Sequence, residues 1–178
     1  NLIWFCRRTQ IPFEVFAFSD NGHLFSEEDR YRRSFDSKHF KAGDIALKMF
    51  KLLNFFSSKM SAKEELEMME ILWMIVGSWK DRYRSVECPV FLGLGGTPLN
   101  DAIIAMMEIV PKFKRETGVQ KVNTIFLTDG ASSRLTGVYD YGLNKDTGEH
   151  FERVVSLRGN IIISDPKTLK NYEIDYFD

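Results

Sequence analysis

The sequence is poor in the residues that build disulfides and zinc centres. Among 178 residues it has two cysteines, Cys6 and Cys88, which are far apart and form no Cys-x-x-Cys motif. Two separated cysteines are typical of reduced, packed thiols in an intracellular protein. The three histidines are scattered as well, and none has a partner at the spacing of zinc ligands. We therefore expect neither a disulfide framework nor a zinc site.

Long apolar runs and an excess of one charge are also missing. No apolar run approaches the roughly 20 residues that span a bilayer, and the N-terminus has no basic segment followed by an apolar core. The 24 basic and 25 acidic residues nearly cancel, so the overall charge gives no reason to expect nucleic acid or an anionic membrane as the partner. We expect a cytoplasmic protein that binds neither.

The apolar content, 44% of the chain, is enough for one globular domain with a core of its own. Strand and helix patterns alternate in the first three quarters, and short hairpin patterns follow. This order favours an α/β domain over residues 1–135 with a β-hairpin extension of the same domain over residues 136–178. We predict buried strands at 13–18 and 122–128 and helices that begin near Ser61 and Thr97. The segment at 44–56 is ambiguous between strand and helix, and a strand is favoured over its first half. Hairpin strands are predicted near 136–141, 150–157, 160–164 and 170–174.

The two central helices carry clear signals at their ends. Ser61 and Glu64 fit a capping box at the start of the first helix. Thr97 is predicted as the N-cap of the second helix, with Pro98 as its first residue and Gly118 as its C-terminal stop. In the first helix one apolar stripe is expected to face the core, and it consists of Leu66, Met69, Leu72, Trp73 and Val76.

The glycine turn before the second helix, residues 93–96, could hold a phosphate, a metal or only the start of the helix. A P-loop would need a lysine that is missing here, and the dinucleotide fingerprint would need a glycine where Pro98 stands. Thr97 follows the glycine turn, and Asp129 follows a predicted strand. Both therefore lie at the edge where open α/β sheets bind ligands. A threonine hydroxyl and a carboxylate are oxygen ligands, which suit Mg²⁺. The simpler alternative is a helix cap at Thr97 and a turn at Asp129. No Ser-His-Asp arrangement is visible, so no catalytic residue is predicted.

Three motifs in order, "FAFSDNG", "GGTPLNDAI" and "TIFLTDG", resemble the von Willebrand factor A domain over roughly residues 1–133. The resemblance implies a doubly wound, mainly parallel sheet flanked by helices. It also implies a metal-ion-dependent adhesion site built from three loops, of which the first has the pattern Asp-x-Ser-x-Ser. Thr97 matches the threonine of the second loop and Asp129 the aspartate of the third, which makes them the candidate Mg²⁺ ligands.

The first of these loops has no counterpart in the 178 residues. In the family it precedes the helix that leads into the "FSD" strand, so it would fall just before Asn1. The first ten residues have the pattern of the second half of an amphipathic helix. We therefore expect that the first strand and its metal loop lie upstream or are absent, and that the chain as given binds little or no metal.

Within the family, "IPFEVFAFSD", "DIALKMF" and "GGTPLNDAI" look closest to the cobaltochelatase-type subunits and their relatives, some of them encoded by tailed bacteriophages. That resemblance implies a non-enzymatic protein-binding module that engages an AAA+ ATPase partner through an acidic side chain. One alternative is a metal-dependent hydrolase or a nucleotide-binding enzyme. Another is a structural component of a larger assembly, such as a virion, in which the metal site is vestigial.

Overall fold

The structure is a computed structural model. It describes residues 1–20, 41–47, 50–80, 89–128, 130–133, 135, 137–143, 145–148, 150–155, 157, 160–165 and 168–175. The chain divides into two compact units, which are Asn1–Arg30 with Met49–Ser133, and Tyr31–Lys48 with Arg134–Asp178. It is a mixed fold of helices and small sheets, and every strand pair among the described residues is antiparallel. None of the helices in these ranges combines the length and the apolar character that crossing a bilayer requires.

The first unit is built on two antiparallel strands. Helix α1 (Leu2–Arg8) leads into strand β1 (Glu14–Ser19), which pairs with strand β3 (Lys51–Ser57) from Glu14 opposite Ser57 to Ser19 opposite Lys51. The ambiguous segment 44–56 therefore contains strands in both halves, because its first half includes the short strand β2 (Ile45–Ala46). The core of the unit consists of Phe55, Phe56, Ile75 and Leu92, with further apolar residues of α1, β1 and β3 packed against it.

Helix α2 (Ala62–Lys80) begins as the sequence predicts. The backbone N–H of Ser61 donates to Glu64 Oε2 at 2.7 Å, and the backbone N–H of Glu64 donates to Ser61 Oγ at 3.3 Å. This capping box confirms the predicted start and lowers the pKa of the Glu64 carboxyl through its hydrogen bonds from Ser61.

The predicted core face of α2 is wrong. Its five residues are exposed, Trp73 to 80%, whereas Met68, Ile71, Met74 and Ile75 pack toward the core. Because α2 is apolar on more than one side, spacing alone could not select the buried face. The stripe that is exposed comprises Leu66, Met69, Leu72, Trp73 and Val76.

Helix α3 (Leu99–Thr117) follows a short 3₁₀ helix (Val90–Leu92) and the glycine turn. It ends as predicted at Gly118, whose φ of 71° is left-handed and whose N–H donates to the carbonyl of Lys114. Its start differs from the prediction, because Pro98 is the N-cap and no side chain caps the helix. Thr97 lies one residue further out, where its carbonyl accepts from the Leu99 N–H at 2.8 Å.

Residues 122–128 do not form the buried strand that their sequence predicts. The segment has no regular structure, and Ile125 and Leu127 are exposed to 71% and 86%. A strand forms only when its backbone groups are paired. Within the described parts of the chain, residues 121–127 have no backbone hydrogen-bond partner.

The second unit contains the predicted hairpins. Strands β4 (Gly137–Leu143) and β5 (His150–Val155) pair along their length, and β2 joins β4 to complete a three-stranded sheet. Strands β6 (Asn160–Ser164) and β7 (Asn171–Asp175) form a separate hairpin. The antiparallel hairpins predicted from their turn residues are therefore confirmed.

Candidate functional site

The glycine turn is held against the end of β1. Ser19, which is fully buried, donates its hydroxyl to the carbonyl of Gly95 at 2.9 Å and accepts from the Gly95 N–H at 3.0 Å. The Asp20 N–H also donates to the Gly95 carbonyl, at 3.2 Å. These three bonds join residues that are 75 or more positions apart, so the turn has a defined place beside the strand.

A buried lysine holds the other side of the turn. Lys51, at the start of β3 and opposite Ser19, donates from Nζ to the carbonyls of Phe91 and Gly93. The turn is therefore anchored to both strands of the sheet.

The loop after residues 121–128 meets the same turn. The Ser133 N–H donates to the carbonyl of Thr97 at 2.7 Å, and the Ser133 hydroxyl accepts from the Thr97 N–H at 3.4 Å. The Asn100 N–H in the first turn of α3 donates to Ser132 Oγ at 3.1 Å. The structure thus brings together the end of β1, the turn at 93–97 and the loop at 130–133, which we call the loop cluster.

Gly96 is required by the close approach of an acidic side chain. Its φ of 62° is left-handed, and a Cβ at this position would overlap the carboxylate of Asp20. The glycine therefore makes room for a carboxylate of the protein itself, and this negative charge disfavours a bound phosphate at the turn.

Of the two predicted metal ligands, the structure places one. Thr97 is half-buried in the loop cluster, and its Oγ1 lies 3.5 Å from the position that a Cβ on Gly130 would occupy. Asp129 lies outside the described residues. Thr97 therefore lies close to Gly130, the residue that follows Asp129 in the chain.

The structure adds a carboxylate that sequence analysis missed. Asp101, in the first turn of α3, is 1% exposed, and its Oδ1 has no hydrogen-bond partner among the described residues. Burial raises the pKa of this carboxyl to about 6, and the nearby charge of Asp20 adds to the increase, while a bond from its own N–H opposes it. Acidic residues are common at the start of a helix because they interact favourably with the helix dipole. The position of Asp101 in the sequence therefore gave no indication of a functional site.

The donor set of the loop cluster consists of oxygens. It combines the carboxylate of Asp20 with the hydroxyls of Thr97, Ser132 and Ser133, and the Ser133 hydroxyl lies 3.5 Å from Asp20 Oδ2. The carboxylate of Asp101 lies beside the cluster, in the first turn of α3, where the neighbouring Asn100 N–H bonds to Ser132 and the charge of Asp20 acts on Asp101. Three or more carboxylate, histidine or cysteine side chains do not come together in the described parts of the chain. Oxygen donors of this kind fit a hard cation such as Mg²⁺. Asp101 Oδ1, which is buried and has no hydrogen-bond partner among the described residues, is a donor of the same kind.

Comparison with protein-family models, with curated proteins and with solved structures gives no match to this chain.

Proposed function

We propose that this chain is a non-enzymatic protein-binding module of the von Willebrand factor A type. It binds Mg²⁺ through Thr97, Asp129 and an Asp-x-Ser-x-Ser loop supplied from upstream of Asn1. The ion keeps an open position that binds an acidic side chain of a partner protein. The motifs favour an AAA+ ATPase as this partner, in a chelatase-like or phage-encoded complex.

The observation that carries the proposal is the convergence of the loop cluster. Thr97 bonds to Ser133 through both its N–H and its carbonyl, and the same turn bonds to Ser19 and Asp20 through Gly95. Segments that are far apart in sequence thereby present oxygen-bearing side chains in one place. Such a place at the ends of strands is where an adhesion-type metal site would be built.

Two further observations support a doubly wound sheet whose first strand comes from upstream. β1 pairs with β3 alone among the described strands, and its other edge has no partner among them. Residues 121–127 include the apolar Val122, Ile125, Phe126 and Leu127 and have no backbone partner within the described part of the chain. The loop that follows them meets the loop after β1. One added strand between the two segments would give both a partner.

The nucleotide-binding alternative is less well supported by the geometry. A phosphate at the glycine turn would meet the Asp20 carboxylate that lies against Gly96. The depression lined by Pro111, Lys114 and Gly118 lies at the opposite end of α3, far from the glycine turn.

The test is a calorimetric Mg²⁺ titration of the protein extended by its upstream coding sequence. We expect the Thr97→Ala and Asp129→Ala variants to bind Mg²⁺ at least tenfold more weakly than the parent, because each would lose a direct ligand. Glu108→Ala, which removes an exposed carboxylate from the middle of α3, is the matched control and should bind like the parent. Equal affinity in all of these proteins would reject the proposed site.

A further inference from the structure

Two carboxylates have no assigned role in the proposed site: Asp20, which follows β1 in the loop cluster, and Asp101, which lies beside the cluster in the first turn of α3. Asp101 is almost completely buried, and its Oδ1 has no hydrogen-bond partner among the described residues. The Asp20 carboxylate lies against Gly96 and accepts a long hydrogen bond from the Ser133 hydroxyl. None of the ion pairs among the described residues includes either carboxylate.

This arrangement is costly unless a positive charge is added. Taking a carboxylate out of water is unfavourable unless it is paired and hydrogen-bonded. The nearby charge of Asp20 makes burial of the charged Asp101 still less favourable. The N-terminus of α3 offsets only a small part of this cost, since the stabilisation of a carboxylate by a helix dipole is small compared with the cost of its burial. A divalent cation would balance both charges and use the unpartnered oxygen of Asp101.

We propose that Asp20 and Asp101 are cation-holding residues, and that together with the hydroxyls of Thr97 and Ser133 they bind a divalent metal ion of the Mg²⁺ or Mn²⁺ type. This inference rests on the proposed function, because it assigns two further residues to the same metal site. It also changes one expectation from the sequence. Since residues 1–178 then contain carboxylate donors besides Asp129, the chain binds the metal by itself.

The experiment is a titration of residues 1–178 with Mn²⁺, followed by electron paramagnetic resonance of the free ion. We expect saturable binding of one ion, with affinity at least tenfold weaker in Asp101→Asn and in Asp20→Asn. Both variants keep the size of the side chain and remove its charge. Glu108→Gln, a carboxylate on the exposed part of α3, is the matched control and should bind like the parent.

Thermal unfolding supplies a readout that does not depend on the affinity measurement. Saturating Mn²⁺ should raise the melting temperature of the parent and of Glu108→Gln, and should raise that of Asp101→Asn much less. Unfolding of each variant in EDTA shows whether it folds. If Asp101→Asn does not fold, Asp20→Asn alone decides the outcome, because Asp20 lies in a loop and is less buried.

The two proposals fail in different ways. The role of Asp20 and Asp101 is overturned if both Asp variants bind Mn²⁺ as tightly as the parent, or if residues 1–178 bind no Mn²⁺. In that case weaker binding by Thr97→Ala and Asp129→Ala in the extended protein would still support the adhesion-type site. If instead the two Asp variants weaken binding and the Asp129 variant does not, Asp20 and Asp101 keep their role, and the adhesion-type site that requires Asp129 is rejected.

Discussion

Strand β1 and residues 121–128 have similar sequences and different structures. Both are short, rich in β-branched or aromatic residues, and followed by an aspartate. β1 is paired with β3 along its whole length, and the pair carries the buried Phe55 and Phe56. Residues 121–127 have no backbone partner among the described residues, and Leu127 is largely exposed. A strand-forming sequence thus produces a strand only where a second strand satisfies its backbone.

Amide hydrogen exchange should show the largest difference between the two segments. We expect the paired amides of β1 and β3 to exchange at least about a thousandfold more slowly than those of residues 122–127, because opening them requires unfolding of the core. Equal protection of both segments would mean that 122–127 is paired in solution. In a protein extended by the proposed upstream strand, we expect the amides of residues 122–127 to exchange more slowly than in residues 1–178.

Truncating an apolar side chain should lower the free energy of unfolding more in β3 than in residues 121–127, and this difference is smaller than the one in hydrogen exchange. Phe55→Ala is expected to lower the free energy of unfolding of the first unit by about 3 to 5 kcal/mol, since it leaves a cavity in the core. Leu127→Ala should change it by less than about 0.5 kcal/mol, because the side chain is exposed. Urea unfolding of both variants measures the difference, and equal losses would contradict the described burial.

The pH dependence of stability should report on Asp101, which lies in the first turn of α3 beside the loop cluster. Its pKa is raised from an ordinary 3.8 to about 6 in the folded protein, so the folded state holds a proton that the unfolded chain releases between these values. In EDTA, this group therefore makes the protein more stable as pH falls from 7 to 4, by about 2 to 3 kcal/mol.

The matched variant is Asp101→Asn, in which this contribution is missing. Subtracting its unfolding free energy from that of the parent at each pH isolates the titration of Asp101 from that of all other groups. A difference that stays constant between pH 4 and 7 would show that the carboxyl is not buried as described.

The features that sequence analysis predicted correctly have their determinants close together in the chain. The capping box joins Ser61 to a residue three positions away, and Gly118 ends α3 through the carbonyl of Lys114. The hairpins of the second unit follow from neighbouring strands and the turns between them. In each case a few adjacent residues provide the hydrogen bonds, so the pattern can be recognised without knowledge of the remaining structure.

Only the tertiary structure decided three other features: which face of α2 is buried, which strand pairs with β1, and which residues form the loop cluster. Ser19 bonds to Gly95 across 76 positions, and Ser133 to Asp20 across 113. Asp101 carried no signal of its own, because its burial and the nearness of Asp20 arise only when the strands and α3 have packed. Short-range hydrogen bonds can be recognised in a sequence, whereas the burial of Asp101 and its nearness to Asp20 are properties of the folded chain, because they require segments that are far apart in sequence to pack together.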